Sequence, residues 1–178
     1  GPRYLLEGYG DKEFLRFNSN SYLGLSLDDD IIRAEEEASR EFGAGPGAVR
    51  FINGTFKAHR DLEKKLAQFH GKEEGMIFSC AYTAMIGVFN ALTSKETIII
   101  SDELNHNCII NAMKLSRPKK KNIYRHNNME ILENMVKESM GQCERLLIIT
   151  DGIFSMRGDY ALLGTISEIA KKYDAKFP

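Results

Sequence analysis

The stretch "SDELNHNCII", Ser101 to Ile110, sets Asp102, Glu103, Asn105, His106 and Asn107 directly behind the apolar run "TIII". Carboxylates, carboxamides and an imidazole in that setting can exchange protons, donate hydrogen bonds or face a planar ligand with the flat ring of His106. The same residues also make ordinary solvated turns, and a lone His is commonly a cap or a satisfied surface group. Two other segments follow apolar runs in the same way. In "SCAYTAM" the backbone N–H groups of Ala81 and Tyr82 open a helix, and such a start attracts an anion, with phosphate the fitting guest. Ser79 adds a hydroxyl, although a Ser-led helix can equally cap itself and Tyr82 can equally be core. In "TDGIFSMRGD" Ser155 stands between Phe154 and Met156, while Asp151, Gly152, Gly158 and Asp159 turn the chain sharply. There is no GxSxG elbow and no supporting Asp and His at hydrolase spacing, so Ser155 reads as a positioning hydroxyl.

The elements that must hold these residues follow from the hydrophobic pattern. Short runs rich in Ile and Leu alternate with amphipathic stretches, the signature of an α/β chain with a parallel sheet. Helices are expected over 28–42, 58–70, 81–93, 107–116, 128–140 and 162–174, and strands over "GMIFS" (75–79), "TIII" (97–100), "KNIYR" (121–125) and "RLLIIT" (145–150). Continuous apolar runs suit strands covered on both faces. In such a sheet ligands gather beyond the carboxyl ends of the strands, so parallel pairing would bring all three polar segments to one edge. "FGAGPGAVRFINGT", 42–55, is too irregular for a helix and too rich in Gly for a central strand, and reads as a long shaped loop. After "KKYDAKFP" the pattern supplies a helix and a turn but no further strand, the look of a truncation.

Composition narrows the classes. The 178 residues are 43% hydrophobic and 28% charged, ordinary for a globular protein. A net charge of −1 gives no general attraction to nucleic acid or an anionic membrane, and the basic "RPKKK", Arg117 to Lys121, reads as a solvated turn. Cys80, Cys108 and Cys143 lack the spacing of a disulfide framework or a zinc site, which points to a reducing, cytoplasmic compartment and to no metal. No apolar run reaches the length of a membrane span, and "GPRYLLEGYG" lacks signal-peptide character; its "GP" reads as a tag-cleavage scar.

Five ordered segments together resemble the α-oxoamine synthase family of pyridoxal 5'-phosphate (PLP) enzymes: "NSNSYLGLS" (18–26), "FGAGPGAVRFINGTFKAHRDLEKKLAQFHG" (42–71), "FSCAYTAMIG" (78–87), "SDELNHNCIINAMKLS" (101–116) and "TDGIFSMRGDYALL" (150–163). The family includes 2-amino-3-ketobutyrate CoA ligase, 8-amino-7-oxononanoate synthase, 5-aminolevulinate synthase and serine palmitoyltransferase, and "VRFINGT" is most similar to the first branch. The resemblance implies the PLP-dependent transferase fold type I. Residues 1–41 would be an N-terminal arm and first helix, and 42–178 the N-terminal part of the PLP-binding large domain. It implies that His106 is the catalytic residue stacking on the pyridine ring, that Ala81 and Tyr82 hold the phosphate by their backbone amides, and that Ser155 lies near the phenolic oxygen. Asn20 and Tyr22 match a motif near the active site, Arg50 and His59 match the "VRF…GT…H" segment, and the Gly-rich loop would lie near the substrate entrance and a neighbouring subunit. His59 could equally be structural.

Met85 departs from the usual Asn of the family, and Arg157 from the Asp found in many members. PLP chemistry also needs a Lys to anchor the cofactor and an acid to keep its ring nitrogen protonated. The family carries these in segments that would follow Pro178, so the chain resembles a cradle without its covalent anchor and is expected to be inactive alone. The implied activity of the complete enzyme is condensation of an amino acid such as glycine with an acyl-CoA, giving a 2-amino ketone and CoA, in a homodimer. Alternatives stay open: a non-catalytic partner subunit lacking the lysine, a nucleic-acid module using "RPKKK", or a nucleotide cradle, which lacks a GxxxxGK[ST] or GxGxxG motif.

Overall fold

The computed structural model describes residues 3–176. Its elements are β1 (Arg3–Leu5), β2 (Glu13–Leu15), a 3-10 helix (Tyr22–Leu27), α1 (Asp29–Phe42), α2 (Arg50–Asn53), α3 (Lys57–Phe69), α4 (Ala81–Leu92), β3 (Thr97–Asp102), α5 (Asn107–Ser116), β4 (Lys120–Tyr124), α6 (Met129–Ser139), β5 (Arg145–Ile149), β6 (Ile153–Phe154), β7 (Asp159–Tyr160) and α7 (Leu163–Lys172). The opening "GP" read as a scar, and the terminal Phe177 and Pro178, lie outside the described residues. Two compact units follow, Gly1–His70 and Gly71–Pro178.

In the first unit β1 and β2 form an antiparallel hairpin, with Arg3 opposite Leu15 and an Arg3–Glu13 ion pair at 3.0 Å. Asp28 caps α1 by accepting from the backbone N–H of Asp30 and Ile31, which satisfies donors that the first helical turn leaves open. The Gly-rich segment corrects the expectation of a helix-free loop. It contains the single turn α2, bracketed by Gly47 (φ +73°) and Gly54 (φ +87°). A four-residue helix is too short for apolar periodicity to register, and glycines supply the left-handed conformations on either side of it. His59 acts locally: its Nδ1 accepts from the Phe56 N–H at 3.1 Å, at the start of α3.

The second unit is built on a parallel sheet of order β4-β3-β5. Ile99 pairs with Lys121 on one side and Leu147 on the other. Side chains alternate across the sheet, so the runs "TIII" and "RLLII" serve two cores. Ile98, Ile100, Leu146 and Ile148 pack with Leu132 and Val136 of α6 and Ile166 and Ile169 of α7. Ile99, Leu147 and Ile149 pack with Phe89 of α4 and with Cys108, Ile109, Ala112 and Met113 of α5. The expected α/β class, with helices on both faces of a parallel sheet, is what forms.

Two expectations change. Residues 75–79 form no strand among the described residues, and Met76 is 73% exposed. A strand exists through its ladder, and the three-stranded sheet does not include this segment. Conversely, the sheet does not stop at α7. Lys176 donates to Leu146 O at 2.8 Å and accepts from Ile148 N at 2.9 Å, so a further parallel pairing begins beside β5. No helix among the described residues is long and apolar enough to cross a membrane.

Candidate functional site

Asn105 ties together the strand ends from which the site is built. It is 4% exposed. Its Nδ2 donates to Ser101 Oγ at 2.8 Å and Ile149 O at 2.9 Å, and its Oδ1 accepts from the Asp151 N–H at 2.7 Å. Donor and acceptor functions are both used, as a buried carboxamide requires, and the ends of β3 and β5 are locked side by side. The next residue completes the link: the His106 N–H donates to Asp151 Oδ2 at 2.6 Å.

His106 caps α5 with its own ring. Nδ1 accepts from the Cys108 N–H at 3.1 Å, which leaves the proton of the neutral imidazole on Nε2. Cys108 Sγ lies 3.0 Å from the same nitrogen, and burial pushes that thiol up, away from thiolate. The His106 side chain is therefore the cap of α5. The fixed ring is exposed and lines a cavity of about 720 Å³ with Asn105, Asn107, Asp151, Ser155 and Arg157.

Ser155 reaches that cavity from the turn between β6 and β7, where Arg157 N and Gly158 N both donate to Phe154 O, at 3.1 and 2.7 Å. Ala81 and Tyr82 do not line it. They open α4, where Cys80 occupies the N-cap position without a side-chain cap bond. The N–H of Ala81 is thus left for another acceptor, while those of Tyr82 and Thr83 also face the Cys80 thiol. Tyr82 is not core: it is 38% exposed, and its hydroxyl accepts from Asn111 Nδ2 at 2.6 Å. Asn111 Nδ2 also donates to Asn107 Oδ1 at 3.0 Å, which connects the start of α4 to the cavity rim.

The remaining candidates belong to the first unit. Asn20 is exposed and its carbonyl accepts from the N–H of Tyr22, itself 75% exposed. Arg50 has a partner in hand: its Nη1 and Nη2 donate to Glu63 Oε1 at 2.6 Å and Oε2 at 3.3 Å, and its Nε donates to Thr55 Oγ1 at 3.2 Å. Glu63 is 2% exposed.

Sequence reasoning passed over Glu63 and His126, which help organise these sites, took Asp151 for a turn former, and named Asp102 only among the polar groups or turn formers behind "TIII". His126 Nδ1 lies 3.0 Å from Asp102 Oδ1, and its Nε2 lies 3.1 Å from Asp159 Oδ2. Their partners are distant in sequence, so no local spacing marks them. For Asp151 a signal existed, its place directly beyond "RLLIIT" at a strand's carboxyl end.

A family model described as aminotransferase class I and II matches residues 12–177. Among curated proteins, an 8-amino-7-oxononanoate synthase 1 of Bacillus subtilis (strain 168) is 46% identical over 164 residues, covering 92% of this chain and 41% of the relative. An 8-amino-7-oxononanoate synthase of Thermoanaerobacter pseudethanolicus is 44% identical over 175 residues, covering 98% of this chain and 43% of the relative. Among solved structures, a serine palmitoyltransferase from S. paucimobilis with bound PLP superposes with a TM-score of 0.92 at 29% identity, covering 99% of this chain and 44% of that one. This chain therefore spans less than half the length of these relatives.

Proposed function

Since this chain belongs to the class I and II aminotransferase family, with α-oxoamine synthases among its relatives, we propose that it supplies the cofactor cradle of a PLP-dependent acyltransferase. The whole protein would condense glycine or a similar amino acid with an acyl-CoA, releasing CoA and a 2-amino ketone, as a two-fold dimer. The observation that carries the reading is the His106 ring, exposed to a cavity yet fixed by Cys108 N and by the Asp151 contact of its backbone.

The donor set fits an anionic planar cofactor. The uncapped start of α4 at Ala81 and Tyr82 would hold the phosphate. His106 would hold the ring plane by stacking, and Ser155 would donate to the phenolic oxygen. When bound, PLP supplies an electron sink that lowers the cost of charge at the amino-acid α-carbon. Ile153, Phe154 and Met156 give the cavity an apolar side beside these polar groups. Asn20, Tyr22 and Arg50 are assigned to substrate. The free cysteines Cys80, Cys108 and Cys143 accord with a reducing, cytoplasmic setting.

The test is PLP titration of the complete protein, followed by borohydride reduction and intact mass. His106→Ala should bind PLP about 2- to 10-fold more weakly, the ~0.5–1.5 kcal/mol of an aromatic contact, and His106→Phe should recover most of it. Equal affinity in all three forms sinks the stacking role. A pyridoxyl adduct on a lysine outside residues 1–178 supports the enzyme, whereas PLP bound without an adduct identifies a non-catalytic partner subunit.

A further inference from the structure

His126, which the proposed reaction does not use, stands between the sheet and the hairpin that carries Ser155. Its side chain is 9% exposed. Nδ1 faces both oxygens of Asp102, at 3.0 and 3.2 Å, and Nε2 faces Asp159 Oδ2 at 3.1 Å. A carboxylate only accepts hydrogen bonds, so bonding to both carboxylates at once requires both ring nitrogens to donate, as an imidazolium does; Asn127 Nδ2 lies a further 3.3 Å from Nε2. Burial opposes that charge, but the hydrogen bonds to Asp102 and Asp159 outweigh it and raise His126 above the ordinary His value. Asp159 is lowered in turn, chiefly by its hydrogen bond with His126.

The ring touches both strands of the hairpin. Phe154 meets it edge-on, with centroids 4.4 Å apart, and Phe154 is the register partner of Asp159. Asp102, at the end of β3, is itself fixed by accepting from Leu104 N at 2.9 Å and Asn127 N at 3.1 Å. The other ionisable groups facing this cluster are Arg157, whose Nε is 3.1 Å from Asp159 Oδ2, Glu103, which accepts from His126 N at 2.8 Å, and Tyr124, whose phenol is pushed up by burial and by Asp102. Asp159 Oδ1 is buried without a hydrogen-bond partner, and the cations beside that carboxylate are His126 and Arg157.

We infer that His126 is a positioning residue: its imidazolium clamps the β6–β7 hairpin to the end of β3 and thereby sets where Ser155 stands in the cavity. Only the consequence for PLP rests on the proposed function; the clamp stands on its own contacts. Because His126 is raised in the folded state, the clamp is complete below the ordinary His value and is lost as pH rises through the raised one. Asp159, being lowered, is charged throughout that window.

Hydrogen exchange at the amides of Arg157, Gly158 and Ala161, which donate to Phe154 O, Phe154 O and Gly152 O, reads the hairpin directly. The complete protein, free of cofactor, is compared between about pH 5.5 and about pH 9, bracketing the ordinary His value, with intrinsic rates divided out. Protection of these amides should fall about tenfold, or ~1.4 kcal/mol, as pH rises, while that of β3 stays level. His126→Gln, which cannot carry the charge, and Asp159→Asn, in the hairpin itself, should each give low protection with no pH step. A flat wild-type profile, or a step that survives in either variant, overturns the clamp. PLP affinity of the wild type over the same range should follow the same step. An exchange step without PLP binding counts for the clamp and against the proposed cofactor.

Discussion

The backbone N–H of His106 and the Oδ2 of Asp151 are 2.6 Å apart although 45 residues separate them in the chain. This contact, with the Asn105 bonds beside it, makes the end of β5 the reference point for the imidazole presented by the loop after β3. Asp151 thus aims His106 without being a partner of its ring. Asp151→Ala removes a charge-assisted acceptor, a class of bond whose ~1.5–3 kcal/mol corresponds to about 10- to 100-fold. PLP affinity should fall within that range, less in Asp151→Asn, which keeps an acceptor oxygen. Combined with His106→Ala, the losses should not add, because both act through one ring. Full additivity in that cycle would show that Asp151 works elsewhere.

Arg50 and Glu63 make the second prediction. A buried carboxylate gripped in a bidentate fork by Arg50, with Arg60 Nη1 3.3 Å from Oε2, is sheltered charge. Removing Arg50 strips it of its closest cation, and such a loss costs more than removing both charges. Arg50→Met should therefore lower Tm further than the double variant Arg50→Met with Glu63→Gln. The order of the two thermal midpoints decides the matter; a double variant that melts at or below the single one means the pair does not stabilise α2 and α3 in this way.

Acid stability should trace in part to Glu133. Its Oε1 accepts from Lys172 Nζ and from the Tyr173 hydroxyl, both at 2.8 Å, which joins α6 to the end of α7. The Lys172 bond first, then that of Tyr173, lowers Glu133 below the ordinary carboxylate range. A lowered group contributes stability above its unfolded value and loses it as pH falls through the folded one. Plots of Tm against pH should therefore show a shallower decline on the acid side for Glu133→Gln than for the wild type. Parallel acid limbs would assign the decline to other carboxylates.

How much of this was legible in the sequence depends on the range of the interactions. The longer helices were, because their signals are local, and α2 was not: Asp28 and Asn128 cap the elements that follow them, and apolar spacing marks the buried faces. The strands "TIII" and "RLLII" were, because each buries side chains on both faces. "GMIFS" also has an apolar run but no ladder here, and composition cannot report a partner. The two-residue strands β6 and β7 are too short for any period to register. Within the site, His106 and Ser155 were legible from their places behind strands, whereas Asn105 was read as a turn former since its link to Ile149 O crosses 44 residues. His126 was missed for the same reason, with its carboxylates 24 and 33 residues away.

The start of α4 carries the last prediction. Cys80 is exposed at the N-cap, and hydrogen bonding from the Thr83 backbone, then from its hydroxyl, holds the thiol below its ordinary value. Cys108, by contrast, is buried and raised. Thiolate, not thiol, reacts with alkylating agents, so Cys80 should be the fastest of the three cysteines to take up iodoacetamide at neutral pH. The same N–H groups that favour the thiolate would favour a phosphate, and the two anions cannot share the start of one helix without repulsion. PLP or inorganic phosphate should therefore slow alkylation of Cys80 severalfold, read by peptide mass spectrometry, while leaving Cys143 unchanged. If saturating PLP leaves the Cys80 rate untouched, the phosphate does not sit at Ala81 and Tyr82, and the cradle must be sought at another helix start.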